Sequence, residues 1–144
     1  GKADWYEIKK TVENVSIPVL VNGDINNLND VETAMTLSGA HGVMIGRASI
    51  GYPWIFNEIK HFMATGEHLP GPTMEDRIGI ARRHLEMSLK WKGEKLGVLE
   101  MRRHYANYFK GIPNFKEHRI KLVTQDEAYL VFEALDEIEE TFLV

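Results

Sequence analysis

The hydrophobic and polar positions of residues 1–70 alternate between helical spacing and short continuous runs. Residues 4–15 place apolar side chains at helical spacing behind Asp4, which can cap a helix. The apolar run at 17–21 is too short for a helix and lacks alternation, so we expect a strand that is covered on both faces. A helix followed directly by a buried strand is therefore the first unit of the pattern.

The same order repeats further along the chain. Asn29 or Asp30 is expected to cap a helix that ends at Gly39, and a second strand is expected over residues 43–45. Helices that alternate with buried strands are typical of a parallel sheet with crossover helices. Because two strands cannot complete such a sheet, the pattern predicts that residues 1–70 are a fragment of a larger α/β fold, or the partner of a missing piece.

Residues 71–144 carry a different, wholly helical pattern. A stiff Leu-Pro-Gly-Pro break precedes Thr73, and Asp76 stands three residues later, as in a capping box. Apolar positions at helical spacing then predict two helices separated by Gly93 and a last helix over residues 128–142. We therefore expect a domain boundary near the start of this segment and a small helical bundle beyond it.

The composition narrows the class of protein. A hydrophobic share of 44% and a charged share of 26% fit a folded chain, and no apolar stretch is long enough to cross a bilayer. No secretory signal is visible, so a cytoplasmic location is expected. The lack of cysteine excludes disulfides, thiolate metal sites and a cysteine nucleophile within this chain. The histidines show no paired metal-ligand spacing, so no metal site is expected.

The net charge of −4 hides a strong asymmetry along the chain. Residues 77–121 hold twelve Lys and Arg against four Glu, whereas residues 122–144 hold seven acids and no Lys or Arg. A basic segment of this kind indicates a polyanionic partner. An alternative of equal weight is that ion pairs between the helices neutralise these charges.

Both expected strands end in a glycine turn with a polar neighbour. Asn22, Gly23 and Asp24 follow the first strand, and Gly46 and Arg47 follow the second. Parallel strands end at the same edge of a sheet, glycine lets backbone N–H groups approach an anion, and arginine supplies a planar donor set. The sequence therefore predicts a phosphate site at this edge, although an arginine in such a turn can also pair with a surface carboxylate.

The segments IPVLVNGDI, SGAHGVMIGRASIGYPWIF and EIKHFMATGE strongly resemble the C-terminal part of the bacterial tRNA-dihydrouridine synthases, in the DusB-like branch. The resemblance is tight over residues 1–67 and looser over residues 73–144, where the helical pattern and EMRRHYANYFKG carry it. It implies a TIM barrel that binds FMN, is reduced by NADPH and acts on uridines of tRNA. Residues 1–70 would then be the last two β/α units of this FMN-binding barrel, and residues 71–144 the helical tRNA-binding domain.

The resemblance also assigns site residues. It implies that Asn22, Gly23, Asp24, Gly46 and Arg47 contact the FMN phosphate. The family's general acid is a cysteine on an earlier loop of the barrel, and this chain has none. No catalytic residue is therefore assigned, and the chain without the missing N-terminal part of the barrel is expected to be inactive and to hold FMN weakly.

Two further positions are addressed by the resemblance. Ala48 and Ser49 would open the short extra helix whose N-terminus faces the phosphate. Tyr52 departs from the family's pattern, because many relatives carry a basic residue before the proline that follows it. The expected anion contact at this position is therefore not assigned.

Basic residues of the helical segment form a second candidate site. Arg83 and Lys90 lie seven residues apart on one expected helix, as do Arg103 and Lys110 on the next, with Asn107 between the latter two. Each pair would share an outward face that could line an RNA backbone, which is recognised mostly by shape and phosphate contacts.

Arg102 belongs to the same candidate RNA site but suggests another mode of binding. With His104, Tyr105 and Tyr108 it could stack on exposed bases, although tyrosines at helical spacing are more often core residues. The leading interpretation is the C-terminal portion of an FMN-dependent tRNA-dihydrouridine synthase, which reduces the C5–C6 bond of uridine in tRNA. Two rivals stay open: a non-catalytic RNA-binding or interaction module, and another FMN barrel such as a dihydroorotate dehydrogenase relative, which would not explain the basic helical segment.

Overall fold

The computed structural model describes residues 1–143 and divides the chain into two compact units, Gly1–Pro70 and Gly71–Val144. Each unit has its own buried core. Within the described residues, no helix has an apolar stretch long enough to span a membrane, and no three His, Asp or Glu side chains are grouped as metal ligands would be.

The first unit combines two parallel strands with helices, as the sequence predicts. The strands pair in parallel, with Leu20 opposite Gly42 and Val21 opposite Val43, and the intervening helix makes the crossover. Its elements in chain order are α1 (Trp5–Asn14), β1 (Leu20–Asn22), α2 (Leu28–Ser38), β2 (Gly42–Met44), a 3-10 helix (Arg47–Ser49) and α3 (Ile55–Thr65).

The helix ends of this unit follow the rules of capping, with one corrected position. Asp4 accepts hydrogen bonds from the second and third N–H groups of α1, as expected. The cap of α2 is Asn27, and the expected Asn29 and Asp30 lie within the helix. Asn27 has the extended backbone that a cap requires, and its side chain accepts from the Asp30 N–H at 3.0 Å. Gly39 ends α2 with φ 66°, as predicted.

The expectation that β1 is covered on both faces is wrong for this chain. Val21 is fully buried, but Leu20 beside it is 60% exposed, and Met44 on β2 is 57% exposed. Successive residues of a strand point to opposite faces, so one face of the two-stranded sheet is covered and the other is open. The covered face packs on a core that is formed by Val21, Ile25, Val31, Ala34, Ala40, Ile55 and Ile59.

The second unit is all-helical, as predicted. Thr73 and Asp76 form the expected capping box, in which the Thr73 hydroxyl accepts from the Asp76 N–H at 3.1 Å and the Asp76 carboxylate accepts from the Thr73 N–H at 2.9 Å. The Thr73 hydroxyl also donates to the Asp76 carboxylate at 2.8 Å, and this bond, followed by the one from the Thr73 N–H, lowers the pKa of Asp76. The helices are α4 (Met74–Tyr108), α5 (Lys116–Thr124) and α6 (Ala128–Phe142).

Helix α4 is folded back on itself at Gly93, as the separation of two helices predicts. Gly93 has the non-helical angles φ 75° and ψ 172°, and it joins a first arm (residues 74–92) to a second arm (residues 94–108). Contacts between the arms run antiparallel: the Arg77 guanidinium donates to the Tyr108 carbonyl, and the Ser88 hydroxyl donates to the Gly97 carbonyl. The two arms therefore form a helical hairpin.

The sequence did not predict α5, and it did not predict how α6 begins. Helix α5 fully buries only Leu122 and exposes Ile120, so it carries no clear apolar stripe. Helix α6 has the strong apolar stripe that was expected. Its first N–H, however, is capped by a side chain of another helix. The Ala128 N–H donates to the Glu94 carboxylate of the second arm at 2.9 Å.

We predict that Gly93→Ala destabilises the second unit by about 1–3 kcal/mol, because the backbone of Gly93 lies in a region that only glycine adopts readily. A methyl group there would meet no atom within 4 Å, so the cost is conformational. Gly79→Ala is the matched control, because Gly79 lies in the first arm with equally open surroundings. It should stabilise by about 0.5–1 kcal/mol in denaturant unfolding. Equal effects of both substitutions would contradict the hairpin geometry.

Candidate phosphate pocket and basic helical surface

The turns that follow β1 and β2 line a single surface pocket of about 240 Å³. The parallel register pairs Asn22 with Met44, so both turns leave the sheet at the same edge. All five residues that the sequence assigned to a phosphate site line this pocket: Asn22, Gly23, Asp24, Gly46 and Arg47. Ile25, Asn26 and Met44 complete the lining.

The first turn is held in place by the start of the chain. Gly23 has φ 107°, and a Cβ atom at this position would lie 2.8 Å from the Ala3 Cβ. The Trp5 indole N–H donates to the Gly23 carbonyl at 2.8 Å. Glycine is therefore required here by backbone conformation and by the close approach of Ala3.

Asp24 and Arg47 form an ion pair across the pocket. The Arg47 Nη2 donates to the Asp24 Oδ1 at 2.9 Å, and the Ala3 N–H donates to the Asp24 Oδ2 at 2.7 Å. The Ala3 hydrogen bond, with the positive charge of Arg47, lowers the pKa of Asp24. An ionised carboxylate repels a phosphate, so the side chain of Asp24 is better suited to orient Arg47 than to contact an anion.

The sequence left open whether Arg47 pairs with a carboxylate, and in the structure it does. The guanidinium nevertheless stays accessible to solvent. The Arg47 side chain is 81% exposed. A guanidinium has five N–H donors in a planar fork, and the bond to Asp24 occupies one. The remaining donors can bind a second anion in the pocket.

The second turn leaves open space beside Arg47. A Cβ atom built on Gly46 would meet no heavy atom within 4 Å. The helix expected from Ala48 and Ser49 is only a three-residue 3-10 turn, in which the Ser49 N–H and hydroxyl both donate to the Gly46 carbonyl. A turn this short has no appreciable macrodipole, so the positive charge of the pocket comes from Arg47.

Tyr52 has a structural role in the first unit. Its hydroxyl donates to the Glu58 carboxylate at 2.7 Å, and its ring makes an edge contact with Trp54 at 5.4 Å between centroids. These contacts give a physical reason for a tyrosine at this position.

The pocket has room for a phosphate group and is too small for a whole flavin nucleotide. Open space beside Gly46 and an exposed, oriented guanidinium are suited to a phosphate monoester. Pockets that enclose drug-sized ligands measure about 300–1,000 Å³, which exceeds the roughly 240 Å³ found here. The remainder of a flavin would need protein surface from outside this pocket.

Several residues of the pocket escaped the sequence analysis. Met44 is the last residue of β2 and stands two residues before Gly46, a signal that the sequence contained. Asn26 donates through its side chain to the Asp24 carbonyl at 2.8 Å. Ala3 and Trp5 contact the turn from about twenty residues away, and no local pattern reveals such contacts.

The predicted RNA-binding residues of the second unit differ in their exposure to solvent and in whether they form ion pairs or hydrogen bonds within the unit. Arg83, Lys90, Arg103 and Lys110 are exposed, and none has an ion pair among residues 1–143. Asn107 is half-buried. Lys110 lies beyond the end of α4, and its N–H donates to the Asn107 carbonyl at 3.2 Å, so it does not continue the helical face of Arg103 as expected.

Arg102 is engaged within the second unit. Its Nη2 donates to the Gln125 carbonyl at 3.0 Å and to the Asp126 carboxylate at 2.7 Å, which ties the second arm to the start of α6. Tyr105 and Tyr108 are buried, at 0% and 3% exposure. The tyrosines are therefore core residues, and stacking on exposed bases through them is excluded by their burial.

The acidic C-terminal segment neutralises only part of the basic segment. Arg82 bonds to Asp136 at 2.7 Å and to Glu139 at 3.1 Å, and Lys121 bonds to Glu137 at 2.5 Å. The alternative that the helices neutralise one another's charges, which the sequence left open, therefore holds for part of the basic segment. Within residues 77–121, seven exposed basic residues have no ion pair among residues 1–143: Arg83, Lys90, Lys95, Arg103, Lys110, Lys116 and Arg119.

Comparison with known proteins identifies the family. A family model described as dihydrouridine synthase matches residues 1–142. The chain is 40% identical to a probable tRNA-dihydrouridine synthase of Rickettsia conorii over 119 residues, which are 83% of this chain and 36% of that protein. It is 38% identical to the tRNA-dihydrouridine synthase B of Pseudomonas putida over 121 residues, 84% of this chain and 36% of that protein.

A third relative extends the match over almost the whole chain. The tRNA-dihydrouridine synthase B of Proteus vulgaris is 34% identical over 143 residues, which are 99% of this chain and 44% of that protein. The chain thus spans less than half the length of these three relatives. The chain belongs to the dihydrouridine synthase family, as a DusB-like member.

Proposed function

We propose that this chain supplies the phosphate-binding end of the FMN site and the tRNA-binding helical domain of a tRNA-dihydrouridine synthase, an oxidoreductase of tRNA processing. The observation that carries the proposal is the shared pocket at the ends of β1 and β2, where Arg47 is held by Asp24 beside the open space at Gly46. Phosphate sites of (β/α)₈ barrels are built from the loops after the last two strands.

The fold supports placing β1 and β2 as the last two strands of such a barrel. Their side chains on the covered face pack against helices, whereas Leu20 and Met44 on the other face are exposed. In a closed barrel, the open face becomes the interior and is filled by side chains from the other strands. The missing N-terminal part of the barrel is therefore a required partner of this chain.

The chemistry of the intact protein is divided between this chain and the missing part. When bound, FMN reduced by NADPH supplies the hydride that reduces the C5–C6 double bond of uridine in tRNA. The residues of this chain bind and orient: Asp24 fixes the guanidinium of Arg47, and the backbone at Gly46 leaves room for the phosphate. In the proposed enzyme, the proton for C5 would come from the cysteine that the family resemblance implies, and this chain contains no cysteine.

We therefore expect the 144-residue chain to bind tRNA without reducing it. Added FMN should be lost from the chain on gel filtration, and mass spectrometry of the tRNA should show no gain of hydrogen. The longer protein, in which the other barrel strands precede this chain, should retain the flavin and form dihydrouridine. We also propose a cytoplasmic location for this protein, with which a tRNA substrate is consistent.

Two results would contradict this proposal. Flavin absorbance that survives gel filtration of the 144-residue chain would show that the site is complete without the other strands. A longer protein that binds tRNA but neither holds flavin nor reduces uridine would favour the alternative, a non-catalytic RNA-binding module. The exposed basic residues of the second unit support RNA binding under either function.

A further inference from the structure

A cleft of about 390 Å³ lies between the two arms of α4, and Arg103 is the one residue of its lining that the proposed phosphate-backbone contacts include. Both arms contribute to its walls, so it is a feature of the hairpin and not of one helix. Its lining residues from the first arm are His84, Met87, Ser88, Trp91 and Lys92, and those from the second arm are Glu100, Met101, Arg103 and His104.

Trp91 is the unusual member of this lining. It is 76% exposed, the highest value among the large apolar side chains of residues 1–143, and Met87 one turn earlier is 49% exposed. Tyr105, by contrast, is fully buried in the core of the same hairpin. An indole with this exposure contributes little to folding and offers a flat face to a ligand.

The surroundings of Trp91 are positively charged. Arg103 is exposed on the second arm and lines the cleft, and Lys92 lines it while paired with Glu100. Arg83 and Lys90 lie within four residues of Met87 and so flank it on the surface of the first arm. An aromatic face among lysine and arginine side chains fits an anionic ligand that carries flat rings.

Two histidines, one from each arm, contact each other in the lining of the cleft. The rings of His84 and His104 meet edge to face at 4.6 Å, and the His84 Nδ1 lies 2.9 Å from the Tyr108 hydroxyl. Burial, followed by the charges of His84 and Arg103, lowers the pKa of His104 to about 4. A neutral imidazole does not attract phosphate, but it can donate or accept a hydrogen bond at the edge of a base.

We propose that this cleft receives an unpaired nucleobase from a single-stranded segment of the tRNA, which stacks on Trp91 while Arg103 contacts a neighbouring phosphate. The inference rests on the proposed tRNA binding and adds the kind of RNA element that is recognised. Unpaired bases are the parts of RNA that stack on aromatic side chains, and each such stack contributes about 1–3 kcal/mol.

The test compares Trp91→Ala, Trp91→Phe and Tyr129→Ala in the whole chain, with an unmodified tRNA transcript and a single-stranded oligouridine as ligands. Tyr129 is the control, because it is a 56% exposed aromatic residue on α6, away from the cleft lining. Trp91→Ala should weaken binding of both ligands about tenfold, which corresponds to a stack of about 1.4 kcal/mol. Trp91→Phe should stay within about threefold of the unsubstituted chain, and Tyr129→Ala should have no effect.

Two further measurements separate stacking from phosphate contact. Trp91→Ala should leave the salt dependence of tRNA binding unchanged, because it removes no phosphate contact. Oligouridine should quench the tryptophan fluorescence of the unsubstituted chain more strongly than that of Trp91→Phe, in which Trp5 and Trp54 remain.

The outcomes distinguish this inference from the proposed function. If the unsubstituted chain binds no tRNA, both fall. If it binds tRNA and Trp91→Ala behaves like Tyr129→Ala, the stacking site is overturned while tRNA binding stands. A response of Trp91 emission to phosphatidylserine vesicles but not to oligouridine would also overturn it, in favour of a membrane contact.

Discussion

Replacing Arg47 with alanine should weaken FMN binding to the longer, barrel-containing protein by about 10- to 100-fold. Hydrogen bonds to a charged group contribute about 1.5–3 kcal/mol, and the exposed guanidinium is the cation that lines the pocket. Arg47→Lys keeps the charge but loses the planar fork, so its loss should be smaller. Flavin fluorescence during titration would measure each dissociation constant.

The matched control for this prediction is Lys60→Ala. Lys60 is exposed on α3, and its replacement removes the same charge from the same unit without touching the pocket. It should leave FMN affinity within about twofold, since a distant surface charge is screened by salt. Equal losses in Arg47→Ala and Lys60→Ala would mean that FMN senses only the net charge of the unit.

The second large effect is expected on the second unit, where Arg103→Ala combined with Lys110→Ala should weaken tRNA binding about tenfold near physiological salt. Both side chains are exposed and lack ion pairs in the part of the chain that the structure describes. Removing one bond to an RNA phosphate should reduce the slope of log affinity against log salt by about 0.7–0.9. Binding titrations at several salt concentrations would give both quantities.

Lys10→Ala combined with Lys121→Ala is the control for charge alone. Lys10 pairs with Glu7 at 2.8 Å and Lys121 pairs with Glu137 at 2.5 Å, so the same two charges are removed from sites already occupied by carboxylates. This variant should bind tRNA with a nearly unchanged salt slope. If the salt slope falls equally in the two double variants, the proposed basic surface does not bind the RNA.

The pocket was predictable because two local signals and one rule of topology combine there. Gly23 and Gly46 each follow an apolar run, and parallel strands end at one edge of a sheet, so their turns had to meet. The capping box at Thr73 and the break at Gly93 were equally local. Such features depend on a few neighbouring residues, and the sequence displays them directly.

What the sequence did not reveal depends on contacts between distant residues. Three hydrogen bonds join residues that are eighteen or more positions apart. Trp5 donates to the Gly23 carbonyl, Arg102 donates to Asp126, and the first N–H of α6 donates to Glu94. Helix α5 was missed because burying Leu122 alone leaves no periodic pattern. Local propensity cannot specify these contacts, which form only after the helices pack.

The role of Asp24 illustrates the same limit at the site itself. Its position in the turn suggested a contact to the phosphate, but the structure pairs its carboxylate with Arg47 and with the Ala3 N–H. We infer that Asp24 positions the cation. Only the three-dimensional arrangement of the two turns and the start of the chain could separate these two roles.

The central claim is that the pocket at Gly46 and Arg47 holds a phosphate group. The ratio of FMN affinity to riboflavin affinity tests it most directly, because riboflavin carries the same ring system without the phosphate. We predict that the longer protein binds FMN at least about tenfold more tightly than riboflavin, and that Arg47→Ala removes most of this preference by weakening FMN alone. A preference that survives unchanged in Arg47→Ala would contradict the assignment of this pocket.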